Sequence, residues 1–277
     1  MIFKDKTVVI TGGSEGIGAA TARLFADAGA NLMLVARSKK SLESIAAELR
    51  DKTRVEIFPM DVTDRDACVD LFKKADFEFG RVDILVNNAG YHARGDVREV
   101  PADDLGRIVD VNLRAPIVLS RLALPYMEDA GGGAIINVAS LHGRLASAGA
   151  TAYSCSKFGL RIFSLALRQE LEGSGIKVAV VSPGPVDTGF IMERIEEVDD
   201  IVFSQPMSSA EEVGQVILDL CGNNIAEQSM PTSSGILTTA AYLMPWLRKW
   251  LKPVLLKKGA RVKARLLAER AKNNAGQ

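Results

Sequence analysis

Cysteine, histidine and tryptophan are scarce in this chain of 277 residues, which contains three, two and two of them. Cys68, Cys155 and Cys221 are far apart, odd in number and without metal-ligand spacing, so we expect neither a disulfide framework nor a metal site. This cysteine usage is typical of a reducing compartment, and we expect a cytoplasmic protein. No uncharged apolar run is long enough to span a bilayer, and the first residues lack the pattern of a secretory signal.

Net charge is also lacking, because 34 lysines and arginines balance 34 aspartates and glutamates. The molecule as a whole therefore offers no electrostatic attraction to nucleic acid, and we expect no nucleic-acid partner. The balance hides an asymmetry. Residues 243–277 contain ten basic residues and one acidic residue, a net charge of +9, so the residues before them carry −9.

Short apolar runs rich in β-branched residues alternate with helical patterns through most of the chain. The runs are 7–11, 31–36, 54–60, 82–86, 134–139 and 177–181. Continuous apolar strands separated by helices favour a parallel sheet covered on both faces, and right-handed crossovers then give a doubly wound α/β fold. No linker divides residues 1–230, which we predict to be one domain, followed by a basic amphipathic helical extension at 231–277.

The first predicted strand leads into the glycine-rich turn "TGGSEGIG" at residues 11–18. Glycines let the backbone approach a pyrophosphate closely, and the N-terminus of the following helix attracts its negative charge. The alternative is a tight strand-to-helix connection without a ligand. The turn supplies the first candidate cofactor-binding residues, Thr11, Gly12, Ser14, Glu15, Gly16, Ile17 and Gly18.

The second predicted strand ends in "VARSKK", where an NAD site usually has an acid for the ribose hydroxyls. Arg37 offers a guanidinium for a 2′-phosphate and Ser38 offers a hydroxyl, so NADP(H) is favoured over NAD(H). The alternative is a solvated arginine at a strand end. Glu15 opposes this interpretation if its carboxylate lies near the phosphate.

"YSCSK" at residues 153–157 places a tyrosine and a lysine four positions apart in a predicted helix, and hence on one face. A chance surface pair is the alternative. Together with "TGGSEGIG", "NNAG" at 87–90, Asn112, Ser140 and "PGPVDT" at 183–188, the pair follows the order and spacing of the short-chain dehydrogenase/reductase family. The chain resembles that family over roughly residues 5–222.

The resemblance implies a Rossmann-like fold with a seven-stranded sheet and a nicotinamide cofactor, and we also expect a homo-oligomer. It implies an adenine contact by Asp61 and Val62, and further cofactor contacts by Asn88, Ala89, Gly90, Pro183, Gly184, Val186 and Thr188. The chain departs from the family pattern at Glu15, where a basic residue often accompanies NADP use. It departs again at the end, where residues 230–250 replace a glycine-rich segment.

A fixed ammonium beside a phenol favours the phenolate, so we expect Lys157 to lower the pKa of Tyr153 toward the operating pH for proton transfer. The resemblance implies that Lys157 also holds the nicotinamide ribose, that Ser140 binds the substrate oxygen and that Asn112 holds a water connecting Lys157 to solvent. These four residues are the predicted catalytic set. The leading hypothesis is an NADP(H)-dependent ketone reductase or secondary alcohol dehydrogenase. The alternative is a non-catalytic dinucleotide sensor or scaffold on the same fold.

The predicted substrate-covering segment, residues 188–205, has an apolar side formed by Phe190, Ile191, Ile195, Val198, Ile201, Val202 and Phe203. This side indicates a hydrophobic substrate, such as a 3-oxoacyl, sphingoid or steroid-like ketone, although plain helix packing would explain it equally well. His92 and His142 follow two of the motifs. Each is either an ordinary loop histidine or a substrate contact.

The basic extension has an apolar stripe at helical spacing, formed by Leu243, Trp246, Leu247, Trp250, Leu251, Val254 and Leu255. Arg248, Lys249 and Lys252 lie on other faces, and we expect Pro253 to kink or divide the helix. A helix of this kind can lie in a membrane interface, so residues 243–265 are predicted to contact anionic membrane peripherally. The alternative is packing on the body or on a second subunit.

Overall fold

The computed structural model describes residues 3–193 and 195–275, and its centre is a sheet of seven parallel strands. Their order across the sheet is β3-β2-β1-β4-β5-β6-β7. The strands are β1 Thr7–Thr11, β2 Asn31–Ala36, β3 Val55–Pro59, β4 Ile84–Asn87, β5 Gly133–Val138, β6 Ile176–Pro183 and β7 Glu227–Met230. The prediction of a doubly wound parallel sheet in a single domain is therefore confirmed.

Strand β1 pairs with β2 on one side and β4 on the other, so the chain reverses its direction across the sheet at β1. All five β1 residues are buried, because helices cover both faces and leave no solvated side for a polar residue. In such a fold, the loops that leave β1 and β4 diverge and form a crevice at the carboxyl ends of the strands. The glycine-rich turn follows β1 directly and lies in this crevice.

Ten α-helices surround the sheet within the described residues. They are α1 Gly16–Asp27, α2 Lys39–Leu49, α3 Arg65–Phe79, α4 Ala102–Val109, α5 Ala115–Asp129, α6 Thr151–Glu170, α7 Gly189–Met192, α8 Ala210–Gly222, α9 Thr232–Leu243 and α10 Pro245–Ala275. Side chains of α1, α2 and α8 pack on one face of the sheet. Side chains of α3, α5 and α6 pack on the other. The two layers explain the predicted alternation of strands and helices.

The seventh strand, β7, has the sequence "EQSM" and pairs only with β6 at the edge of the sheet. It is not an apolar run, so the hydrophobic pattern predicted only six strands and the seventh came from the family resemblance. Glu227 in β7 is held by ion pairs from Arg144 and Arg161 that are mostly buried. This edge strand therefore contains a polar anchor where the central strands have apolar side chains.

The C-terminal extension consists of α9 and α10, and the helical structure is interrupted between them at Met244. The expectation that Pro253 would divide the helix is wrong, since α10 continues through it. The side chains of Leu247, predicted in the apolar stripe, and of Arg248, predicted on another face, lie outside the described residues. Leu243 belongs to α9, whereas Trp246 and Trp250 belong to α10. No helix in the described part of the chain is long and apolar enough to cross a membrane.

The second half of α10 packs against the predicted substrate-covering segment. Gly259 fits there because a Cβ at this position would overlap the carbonyl oxygen of Asp200. The Lys263 ammonium donates a hydrogen bond to the Val198 carbonyl at 2.7 Å and lies 3.3 Å from the Asp200 carboxylate. Packing on the body, one of the two alternatives for the extension, therefore holds for this part of the helix.

Candidate active site

One large cleft, with a volume of about 1280 Å³, runs along the carboxyl ends of the strands. Its walls extend from the glycine-rich turn, past Tyr153, to the covering segment and the first half of α10. A cleft of this size can hold a dinucleotide together with a second molecule, and in parallel α/β sheets this is the position at which ligands bind.

The glycine-rich turn needs its glycines for close packing. Gly12 has a φ of +65°, and a Cβ there would lie 2.8 Å from the Asn88 side-chain nitrogen. A Cβ at Gly18 would overlap the Gly12 carbonyl oxygen. The loop therefore folds back on the start of α1, whose N-terminus has no side-chain cap at Glu15. The uncapped amide groups at this helix end suit a phosphate group.

Thr11 and Asn88 tie the ends of β1 and β4 together beneath the turn. The Thr11 hydroxyl accepts hydrogen bonds from the Asn88 and Ala89 amides at 3.0 and 3.1 Å. The Asn88 side chain donates to the Thr11 and Gly12 carbonyls at 3.0 and 3.2 Å. Thr11 is buried and does not line the cleft. Its place in the structure is to hold the turn, whereas the sequence placed it among the residues that contact the cofactor.

At the β2 end of the cleft, Arg37 and Glu15 are both exposed and line the wall. The Arg37 guanidinium has no hydrogen bond or ion pair to any residue within 3–193 or 195–275. The Ser38 hydroxyl caps α2 by accepting from the Ser41 amide at 3.2 Å. The guanidinium is therefore available for a ligand, while part of the hydrogen-bonding capacity of Ser38 is already used.

Asp61, predicted to contact adenine, already forms hydrogen bonds with Thr63 and Arg107. Its carboxylate accepts from the Thr63 amide and hydroxyl, and from Arg107 at 2.8 Å. Burial opposes the charge, but these Thr63 hydrogen bonds and the Arg107 guanidinium hold the pKa of Asp61 below its usual range. The carboxylate is 32% exposed, so it still faces the cleft as an anion. Arg107 was not identified from the sequence, because it lies on α4, far from any motif.

Three of the four predicted catalytic residues, Ser140, Tyr153 and Lys157, line one part of the cleft. Tyr153 and Lys157 lie one turn apart in the first half of α6, and both are buried. Ser140 follows the end of β5 and caps a short helical turn through its hydroxyl, which accepts from the His142 amide at 3.2 Å. The Lys157 ammonium lies 5.9 Å from the centre of the Tyr153 ring and donates to the Val138 carbonyl at 2.8 Å.

The pKa of Tyr153 moves in the direction opposite to the expectation. Burial raises it above its ordinary value, and a hydrogen bond with Ser140 together with the charge of Arg94 only partly offsets that effect. Burial also lowers the pKa of Lys157 to about 8. Burial therefore disfavours the charged form of both groups. The protein alone holds a neutral phenol beside an ammonium whose pKa lies close to neutral pH.

Asn112 lies in a π-helical turn, Asp110–Arg114, between α4 and α5. Its side-chain oxygen accepts from the Tyr91 amide at 2.8 Å, and its side-chain nitrogen donates to the Tyr91 carbonyl at 2.8 Å and to the Ser156 hydroxyl at 3.2 Å. Asn112 is buried and does not line the cleft. It joins the loop after β4 to α6 through Ser156, which lies three residues after Tyr153 and one before Lys157. Single π turns of this kind often occur at functional sites.

Both histidines contact the Tyr153 ring, and a contact of either one with a substrate stays a prediction. The His92 ring stacks on it with centroids 4.3 Å apart, and the His142 ring meets its edge at 5.6 Å. Burial lowers the pKa of His92 to about 3 and that of His142 to about 4, with the Arg94 charge acting in the same direction. Both imidazoles are therefore neutral near pH 7, and they line the cleft beside the phenol.

The covering segment uses its apolar side chains in two ways. Ile195, Val198 and Phe203 are buried in a cluster with Val262, Leu266 and Leu267 of α10. Phe190 faces the cleft, with its ring 6.4 Å from that of Tyr153 and the Arg94 guanidinium 5.5 Å above it. The packing interpretation therefore holds for Ile195, Val198 and Phe203, and the hydrophobic substrate stays a prediction. No motif in the sequence assigned Arg94 to the cleft, nor the α10 residues that line it, Leu251, Lys252, Leu255 and Lys263.

Nearly all of the predicted site residues lie along this one cleft. Those that line it are Gly12, Ser14, Glu15, Gly16, Ile17, Arg37, Ser38, Asp61, Val62, Asn88, Ala89, Gly90, Ser140, Tyr153, Lys157, Pro183, Gly184, Val186 and Thr188. Thr11, Gly18 and Asn112 lie behind the wall and support it. The cleft therefore unites residues that are up to 176 positions apart, from Gly12 to Thr188.

Known proteins share these features. The sequence profile of the short chain dehydrogenase family matches residues 6–199. An uncharacterised oxidoreductase of Staphylococcus aureus strain USA300 is 34% identical over 187 residues, which cover 68% of this chain and 80% of that protein. The 3-oxoacyl-[acyl-carrier-protein] reductase of Thermotoga maritima is 33% identical over 228 residues, covering 80% of this chain and 93% of that reductase. With its parallel sheet, its glycine-rich turn and its tyrosine and lysine in one cleft, this chain belongs to the short-chain dehydrogenase family of oxidoreductases.

Proposed function

We propose that this protein is an NADP(H)-dependent oxidoreductase that transfers a hydride between the nicotinamide and a ketone or secondary alcohol. The observation that carries the proposal is the convergence of Ser140, Tyr153 and Lys157 in one cleft with a glycine-rich turn and an exposed arginine. A non-catalytic dinucleotide sensor would need the turn and the arginine only. It would have no use for a buried ammonium, which costs folding free energy.

The residues present fit a dinucleotide. Gly12 and Gly16 line the cleft at the uncapped start of α1, where the backbone amides suit a pyrophosphate, and Gly18 lets the turn fold closely onto this helix. Lys157 lines the cleft and donates to the Val138 carbonyl, and in this proposal its ammonium would also hold a ribose hydroxyl. When bound, the nicotinamide supplies or accepts the hydride, and this is the chemistry that side chains cannot provide.

Reduction of a ketone needs a proton at the oxygen as the carbon receives the hydride. Tyr153 would donate that proton, since its raised pKa keeps the phenol protonated near pH 7. The Ser140 hydroxyl, hydrogen-bonded to Tyr153, would donate to the same oxygen and stabilise its developing charge. Lys157 is charged near neutral pH and would stabilise the phenolate left behind, which is the state in which its attraction is fully used.

Three features favour NADP(H) and a hydrophobic substrate. The Arg37 guanidinium is exposed on the wall where a 2′-phosphate would lie, and it is not paired with Glu15 or any other described acid. Phe190, Ile191 and Leu255 line the opposite end of the cleft, beside two neutral imidazoles. The name of the Thermotoga maritima relative refers to 3-oxoacyl groups, and such acyl chains head our substrate hypotheses, followed by sphingoid and steroid-like ketones. A cytoplasmic location and a homo-oligomer remain part of the proposal.

The test is the oxidation of NADPH, followed by absorbance, with a panel of 3-oxoacyl thioesters, sphingoid ketones and steroid ketones. The Tyr153→Phe variant keeps the ring and its stacking on His92 but removes the proton donor. We expect turnover to fall by roughly 10²–10⁴-fold, with little change in NADPH binding measured by fluorescence. Turnover in the variant equal to that of the wild type would exclude Tyr153 as the proton donor. NADPH binding by the wild type without turnover of any ketone or alcohol would favour the sensor alternative.

A further inference from the structure

Large apolar side chains are exposed at the end of α9 and along the first half of α10. Trp246, Trp250 and Val254 are spaced four residues apart, so they share one face of α10, which we call the aromatic face. Their exposed fractions are 63%, 78% and 66%, and Leu243 just before them is 71% exposed. Exposed apolar patches on soluble domains usually mark an interaction site.

Four exposed lysines flank the aromatic face, Lys249, Lys252, Lys257 and Lys258. None of them has a hydrogen bond or ion pair to another residue in the described part of the chain. In this helix it is Lys263 that reaches an acid of the body, Asp200, while Arg265 pairs with Glu269 of its own helix. The acidic remainder of the protein therefore does not neutralise these lysines, and they stay available to an anionic partner.

The aromatic face adjoins the mouth of the cleft. Leu251 and Leu255 follow Trp250 and Val254 by one residue each, about 100° around the helix, and both line the cleft. Lys252 lines it as well. The same two turns of α10 therefore border the cleft on one side and present exposed aromatic and basic side chains on another.

We propose that the aromatic face and its lysines dock reversibly on the surface of an anionic lipid bilayer, with the cleft mouth at Leu251 and Leu255 next to that surface. Tryptophan is favoured at a bilayer interface because its ring is apolar and its N–H is polar, and lysines are attracted to anionic headgroups. A second copy bound through the same face would place these lysines against their own counterparts. Charge therefore favours lipid over a symmetric dimer.

Entry of an apolar ketone from the bilayer rests on the proposed function, but the docking itself does not. The experiment is co-sedimentation of the full chain with vesicles of phosphatidylglycerol and phosphatidylcholine. We compare the wild type with Trp250→Glu, with a double variant Lys257→Glu, Lys258→Glu, and with Phe77→Glu. Phe77 is the matched control, because it is an aromatic residue 87% exposed on α3, outside the aromatic face.

We expect the wild type and Phe77→Glu to bind the anionic vesicles at low salt and to be released by added salt. Each basic residue removed weakens binding by roughly fivefold, so the double variant should bind at least about 25-fold more weakly. Trp250→Glu should lose about tenfold or more. Thermal unfolding followed by circular dichroism checks that each variant folds, and NADPH oxidation with a short water-soluble ketone checks the site. If vesicle binding follows this pattern and no protein turns over any ketone, docking stands and the proposed function fails.

Two results would overturn the docking proposal. The first is a wild-type protein that stays in the supernatant with anionic vesicles at low salt. The second is equal binding by Trp250→Glu and Phe77→Glu, which would leave the aromatic face without a role. A dimer seen by light scattering without lipid, lost in Trp250→Glu and accompanied by no vesicle binding, would assign this face to a second copy of the chain instead.

Discussion

Lys157 offers a prediction in which function and stability oppose each other. The ammonium is buried, and its pKa falls from an ordinary 10.5 to about 8. A fall of that size corresponds to about 3 kcal/mol of native stability lost near pH 7, where the lysine is charged in both the folded and the unfolded chain. Replacing Lys157 by Met removes this cost and keeps a long apolar side chain.

The gain is reduced by the hydrogen bond that Lys157 donates to the Val138 carbonyl at 2.8 Å. Leaving that buried carbonyl without a donor costs about 1–3 kcal/mol. We therefore expect Lys157→Met to be as stable as the wild type at pH 7, or up to about 2 kcal/mol more stable. Turnover and NADPH affinity should both fall, since the same ammonium is assigned to the ribose and to the phenolate.

The pH dependence of stability distinguishes the effect of the Lys157 charge from the effect of its packing. Between about pH 8 and pH 10.5 the unfolded lysine binds more protons than the folded one, so the stability of the wild type rises with pH in this window. From pH 7 to pH 9 the wild type should gain about 1 kcal/mol relative to Lys157→Met. Urea unfolding at the two pH values, without dinucleotide, measures this difference. Lys73→Met, at a position 64% exposed, is the control and should show no such change.

A constant stability difference between wild type and Lys157→Met from pH 7 to pH 9 would refute the assignment of a depressed pKa to this lysine. A variant that is several kcal/mol less stable than the wild type at both pH values would show that the ammonium is net stabilising. In that case, the burial of Lys157 would be compensated by interactions stronger than its one hydrogen bond.

Two further predictions concern the ends of the cleft. Arg37→Asp removes a charge-assisted contact to a 2′-phosphate, so the kcat/KM preference for NADPH over NADH should fall by roughly ten- to a hundredfold, and Glu15→Lys should raise it. An unchanged preference ratio in both variants would place the phosphate elsewhere. Gly259→Ala puts a Cβ against the Asp200 carbonyl and should lower the melting temperature and raise the KM for ketones, whereas Gly222→Ala, with open space around its Cβ, should change neither. Equal behaviour of the two glycine variants would show that α10 does not hold the covering segment.

The central strands could be predicted from the sequence because helices cover both faces of the sheet. A strand buried on both sides, such as β1, reads as a continuous apolar run, and its residues Val8, Val9 and Ile10 are fully buried. Strand β7 lies at the edge and has a polar sequence that pairs Glu227 with two arginines. No hydrophobic period marks such a strand, so the prediction of a seventh strand depended on the family resemblance alone.

The chemistry of the site was less predictable than its position. A spacing of four residues in one helix was enough to place Tyr153 and Lys157 together. The direction of the tyrosine pKa depends on how much water the surrounding loops exclude, and those loops supply His92, His142 and Phe190. Such burial arises from segments distant in the sequence, and a local motif gives no measure of it. Arg94 and Arg107 were not predicted as site residues for the same reason, since neither belongs to a motif.

The packing of α10 on the covering segment limits how a substrate can enter the cleft. Lifting the segment would expose Ile195, Val198 and Phe203, which are buried against α10. Exposing a large apolar side chain costs about 1.5–3 kcal/mol, so separating these three would cost several kcal/mol in addition to the Lys263 contacts. Among the side chains that the structure describes, none from the first half of α10 belongs to such a buried cluster, and Trp246 and Trp250 are exposed. We therefore expect entry between Leu251, Leu255 and the cleft wall, at the end of the molecule where the aromatic face lies.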